Sequence, residues 1–143
     1  MSVLFNKQSE YALQAVIYLA KKPPQELVAA KDISSKLNIP YHFISKTLQL
    51  LVNKGFLTSM KGPFGGFSLA RSAKEITVMD IIEAIDGREF IDTCVMGFPD
   101  CGGENPCPAH EMWSKIKEKI QADLLSKSLY DMAAGITKPE YKM

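Results

Sequence analysis

No stretch of this 143-residue sequence is both apolar enough and long enough to cross a bilayer. The longest apolar run, Ala12 to Ala20, is broken by Gln14 and stopped by Lys21-Lys22-Pro23-Pro24. No small-residue cleavage site follows it, so the expectation is a soluble, cytoplasmic protein with no membrane partner. Cysteine is missing before position 94 and after position 107. Three cysteines in one short window, an odd number, do not make the disulfide scaffold of a secreted domain. Internal repeats and low-complexity tracts are lacking as well.

Net charge is nearly absent, at +1, but the small sum conceals an asymmetry. Residues 1–75 hold ten Lys/Arg against four Asp/Glu, and residues 76–143 hold seven against twelve. A basic half joined to an acidic half predicts that one face meets a polyanion. With 46% apolar residues the chain can bury a core, and its length suits a single domain, 1–143.

Leu13, Val16, Ile17 and Ala20 recur at helical spacing and predict a helix over 9–21, ended by Pro23-Pro24. Ala29, Ile33 and Leu37 predict a second, short helix over 28–37. Asn38-Ile39-Pro40 breaks it, and a third helix follows over 41–54, with Ile44, Leu48 and Leu51 inside and Gly55 as its stop. Two short helices around a tight turn, the second with a polar outer face, match a helix-turn-helix. Residues 56–61 and 67–71 flank Gly62-Pro63-Phe64-Gly65-Gly66 and predict a hairpin, which after a helix-turn-helix is a wing. The fold class expected is therefore mainly α with a small β-hairpin wing.

Beyond the wing region, 1–74, the sequence divides into a linking helix at 75–91, an aperiodic loop at 92–110 and a helix and tail at 111–143. Thr77 with Asp80 predicts a capping box, and Ser128 with Asp131 a second helix start. The helix over 111–127 bears Trp113, Ile116, Ile120 and Leu124 on one stripe. At roughly 25 Å it is too long for so small a domain to bury alone, which predicts pairing with a second copy. The 137–143 tail is expected to be loose.

A recognition helix must place hydrogen-bonding side chains on base edges. Tyr41, His42, Ser45, Lys46 and Gln49 are suitably placed, while Lys7, Lys54, Lys61 and Arg71 are candidates for phosphate contacts. Gly65 and Gly66 would let the wing backbone approach DNA. The loop reads Cys94-x6-Cys101-x5-Cys107-x2-His110. Its intervals differ from paired zinc knuckles, and a Gly/Pro-rich loop suits a larger cofactor, with His110 able to complete four ligands. Zinc and unligated thiols remain alternatives. So does an enzyme with a Cys nucleophile and His110 as base, against which no third orienting group is apparent. The expectation is that the chain is not an enzyme.

The stretches 11–15, Ile33-Ser34-Ser35-Lys36-Leu37-Asn38-Ile39-Pro40, 61–71 and Ile76 to Gly87 resemble the Rrf-two family of bacterial regulators, in order and over nearly the whole chain. The resemblance implies a homodimeric winged helix-turn-helix that binds a double-stranded DNA operator. It further implies a long dimerisation helix and, in the cluster-binding branch, three cysteines between wing and helix. It makes Cys94, Cys101, Cys107 and His110 ligands of an iron–sulfur cluster, [2Fe–2S] favoured over [4Fe–4S], with Glu10 of the partner subunit as the alternative fourth ligand. The implied function is a repressor that responds to redox state, nitric oxide or iron–sulfur supply. A regulator without a cluster, zinc-stabilised or responsive to a small molecule or partner, is the alternative. Departures from the family pattern are the six-residue first interval, Phe64 in place of a wing glycine, and Ser45 in place of an acidic residue.

Overall fold

The computed structural model describes residues 4–99 and 101–136; the 137–143 tail lies outside the described residues. Helix α1 spans Lys7–Ala20, capped by Asn6, whose side chain accepts from the Ser9 N–H at 2.8 Å. Ala12, Ala15 and Val16 are wholly buried on it. Their small side chains let the helices Tyr41–Asn53, Val78–Asp86 and Leu129–Gly135 all close on this one helix. Helix α2 is Ala30–Leu37 and α3 is Tyr41–Asn53. Asn38 joins them in the left-handed conformation (φ 55°), a cost asparagine tolerates. Ile33, Ile44, Leu48 and Leu51 seal the pair against α1.

Strands β1 (Leu57–Met60) and β2 (Gly66–Leu69) pair antiparallel with Leu57 opposite Leu69. The expected second helix begins two residues later than its periodicity suggested. Val28 is held in the wing sheet, exchanging backbone hydrogen bonds with Phe67 at 2.9 and 2.8 Å. This third, one-residue strand roots the wing in the loop before α2.

The linking region is two helices, α4 (Val78–Asp86) and α5 (Glu89–Asp92), divided at Gly87 (φ 76°). Thr77 and Asp80 form the expected reciprocal capping box, at 3.1 and 2.9 Å. Helix α6 runs His110–Ile120 and passes into a π-type turn over Gln121–Leu125, where the Ser126 N–H reaches the Gln121 carbonyl. The helix expected to continue to 127 thus changes phase before it ends. The wider turn faces Leu125 inward, where it is 1% exposed against Val78, Ile82 and Ile91. Helix α7 (Leu129–Gly135) starts at the Ser128 cap and returns to α1. No described helix is long and apolar enough to cross a membrane.

A Cβ at Gly66 would lie 2.6 Å from the Val28 carbonyl group. Gly66→Ala should therefore destabilise the chain by about 1–3 kcal/mol by forcing the wing off its root. Gly103→Ala, with open space around its Cβ, should cost far less. Denaturant midpoints at equal protein concentration compare the two, and equal midpoints would contradict the close packing described.

Candidate nucleic-acid interface and metal centre

The buried stripe of α3 dictates what its other face presents. With Ile44, Leu48 and Leu51 turned inward, Tyr41, His42, Ser45, Lys46 and Gln49 line one shallow concavity of about 620 Å³. All five candidate base-reading residues come together there. Gln8 of α1 and Asn53 also line it. Asn53 was legible as the next position of the same stripe, four residues beyond Gln49, and the Gln49 amide donates to it at 3.3 Å. Gln8 carried no signal, since it arrives by packing of α1 against α3. The His42 and Phe43 rings lie 4.2 Å apart, and Phe43 meets Tyr11 at 5.9 Å, which ties this surface to α1.

The candidate phosphate-binding residues are more scattered. Lys54 and Lys61 are exposed at the end of α3 and at the wing. Lys7 stands 3.6 Å from Glu10 and 5.5 Å from the Tyr11 ring centre. Arg71 lies over the Phe56 ring at 4.5 Å and lines a separate cleft at the root of the wing. Gly65 and Gly66 have an internal reason to be glycine. A Cβ at Gly65 would fall 2.0 Å from the Met60 carbonyl oxygen, and Gly66 abuts Val28. At the tip Phe64 is 92% exposed.

The three cysteines converge. Their sulfurs lie within 4.8 Å of one another, all partly buried, on the loop between α5 and α6. Cys94 and Cys107 are 3.5 Å apart, and Cys101 is 3.6 Å from Nδ1 of His110, the first residue of α6. Desolvation would raise the Cys94 thiol, but backbone N–H groups of Phe98 and Met96, with the neighbouring thiols, overcome it and draw the group from 9.0 down to about 7. Desolvation and the Cys101 and Cys94 sulfurs push Cys107 the other way. The Cys107 N–H donates to the Cys101 sulfur at 3.4 Å. A Cβ at Gly102 (φ 109°) would stand 2.7 Å from the His110 ring, so only glycine lets the imidazole come this close. Three thiols, one imidazole and N–H donors aimed at sulfur suit a thiophilic metal or an iron–sulfur cluster. Glu10, the alternative ligand, is ion-paired with Lys7 at the start of α1.

The candidate dimerisation stripe divides. Ile120 and Leu124 pack against the Val78–Ile82–Leu125 cluster of their own chain. The Trp113 indole donates to the Thr93 carbonyl at 3.0 Å, bracing α6 beside Cys94. Ile116 is 52% exposed and Met112 63%. No residue of α6 is buried.

Residues 5–135 match the model of the Rrf2 (Rrf-two) family, described as an iron-dependent transcriptional regulator. The chain is 31% identical over 126 residues to the HTH-type transcriptional regulator IscR of Xenorhabdus nematophila, covering 87% of this chain and 76% of that protein. Among solved structures it resembles CymR, the global cysteine regulator of B. subtilis, with a TM-score of 0.78 and 26% identity, covering 95% of this chain and 100% of that one. T. potens IscR shares the fold at a TM-score of 0.73 and 24% identity, covering 96% and 93%. These relatives are transcriptional regulators rather than enzymes.

The opposed thiol shifts give a measurable order of reactivity in demetallated protein. Cys94 should alkylate with iodoacetamide at a rate reaching half its plateau near pH 7, and Cys107 only at a distinctly higher pH. Mass spectrometry of residue-resolved alkylation across pH 5–10 checks this. Three superimposed profiles would contradict the asymmetry.

Proposed function

The chain belongs to the Rrf2 family of DNA-binding winged-helix transcriptional regulators, and from that premise we propose that it is an iron–sulfur-dependent repressor that reads its operator as a homodimer. The observation that carries this reading is the convergence of Cys94, Cys101 and Cys107 within 4.8 Å, with His110 against Cys101. Cys94, Cys101, Cys107 and His110 would hold the group there, and an iron–sulfur cluster, with [2Fe–2S] favoured, would supply an oxidisable, nitric-oxide-reactive centre.

The chain's own residues provide a route from that loop to DNA. Cys94 follows α5 by two residues, and His110 opens α6. Ligation of both would fix the end of one helix against the start of the other, reinforcing the Trp113–Thr93 hydrogen bond. Helix α6, with no buried residue and with Met112 and Ile116 exposed, is the element we assign to the partner subunit. Its angle would then set the spacing of two recognition helices, which must match half-sites about 34 Å apart. In this reading residues 1–74 read DNA, 75–91 link, 92–110 sense and 111–143 dimerise.

Tyr41, His42, Ser45, Lys46 and Gln49 are assigned to base edges, and Lys7, Lys54, Lys61 and Arg71 to the backbone. The common concavity on α3 supports the first set.

Protein purified without oxygen should absorb visible light and contain equal iron and acid-labile sulfide. Cys101→Ser should lose both while remaining folded, and its operator affinity should differ from that of the loaded protein by about 5- to 150-fold. A colourless, zinc-loaded wild type would overturn the cluster assignment.

Base reading and backbone holding separate by sequence dependence. Gln49→Ala should lose about 1–3 kcal/mol of discrimination at particular operator positions. Lys61→Ala should weaken every duplex alike and flatten the salt dependence. Equal losses by Gln49→Ala on operator and random duplexes would remove Gln49 from the reading set.

A further inference from the structure

A second concavity lies away from the cysteines and the recognition surface. It occupies about 610 Å³ between the end of α1, the loop after it, the strand leaving the wing and Tyr130 of α7, a size suited to a small ligand. Three cations line it: Lys22, Arg71 and Lys74. Each is laid on an aromatic face, Lys22 over Tyr18 at 4.9 Å, Arg71 over Phe56 at 4.5 Å and Lys74 over Tyr130 at 4.7 Å. A ring satisfies one side of a cation and leaves its remaining N–H groups directed elsewhere.

None of the three forms an ion pair with a carboxylate among the described residues. Glu26 is the one acidic residue on the lining. Leu19 and Leu69 give the cleft an apolar wall. The rim is preformed: Pro23-Pro24 stiffen it, the Glu26 N–H closes a turn on the Pro23 carbonyl at 3.1 Å, and Gln25 is held at φ 67°. Three cations against one carboxylate leave the concave lining net positive, which concentrates anions, and the apolar wall beside them selects an anion with an apolar body.

We propose that this cleft binds a small amphipathic anion, a carboxylate or phosphate monoester carried on a compact apolar group. Its floor includes Ser68 to Arg71, where β2 leaves the wing. An occupant would therefore bridge the wing's root to α1 and α7, which makes the site suited to an effector. The same cations could instead serve a DNA backbone phosphate, and the test separates the two sources. It is done without DNA first, so its result stands whether or not the regulator reading holds.

The protein as purified is titrated calorimetrically with phenyl phosphate, with inorganic phosphate and benzyl alcohol as the charge-only and ring-only probes. Phenyl phosphate should saturate one site per chain, at least tenfold more tightly than either control. The Lys22→Gln/Lys74→Gln variant, confirmed folded by circular dichroism, should bind it at least tenfold more weakly. Absence of saturation, or unchanged binding by the double variant, would overturn the proposal. Loss of random-duplex affinity by that variant, without phenyl phosphate saturation, would assign the cations to the DNA backbone and overturn it equally.

Discussion

Two backbone hydrogen bonds hold the molecule's separate parts in one place. The Val78 N–H bonds to the Lys127 carbonyl at 2.9 Å, and the Leu129 N–H bonds to the Ile76 carbonyl at 2.8 Å. They pair Thr77 with Ser128, and these two residues are also the caps of α4 and α7. The segment between them carries α4, which packs on α1, and then α5, the three cysteines and α6, with Ile91 and Leu125 returning to the buried cluster around Val78 and Ile82. Ile76, Ile81 and Leu129, all fully buried around that pairing, lock it to the helix-turn-helix through α1.

The division between what must be rigid and what can rearrange follows the burial. Ile33, Ile44, Leu48 and Leu51 leave no exposed surface beneath the recognition helix. The cysteines are only partly buried, and Val95, Met96 and Phe98 beside Cys94 are more than half exposed. Desolvation first, and then the Cys101 and Cys94 sulfurs, hold the Cys107 thiol above its ordinary value. A positively charged metal centre favours thiolate ligands, and the N–H groups of Phe98 and Met96 already favour a thiolate at Cys94.

Features encoded locally were readable from residues alone. The Thr77–Asp80 and Ser128–Asp131 caps, the α2–α3 turn at Asn38 and the hairpin around Gly65 each lie within a few residues. The polar face of α3 followed from its apolar stripe. Long-range pairings were not readable. Val28 looked helical because its neighbours have helical spacing, yet Phe67 claims its backbone. Leu125 lies off the helical stripe that ends at Leu124, and the π-type turn brings it into the buried cluster as well. Trp113 read as a partner-facing residue, while its indole N–H finds the Thr93 carbonyl of its own chain. The wing-root cleft joins residues from both ends of the sequence, so no motif announces it.

Coupling between the cysteine loop and the operator is the centre of this reading, and thermodynamic linkage makes it testable from the loop side. If the bound centre changes operator affinity by some factor, operator must change the retention of that centre by the same factor. The direct measurement is an equilibrium titration of the cluster-loaded protein with an iron chelator, followed by visible absorbance, with and without saturating operator duplex. A shift of the chelator midpoint by operator, absent with a random duplex of equal length, is the predicted result. Coincident midpoints under all three conditions would contradict the coupling and leave the sulfur site without influence on DNA.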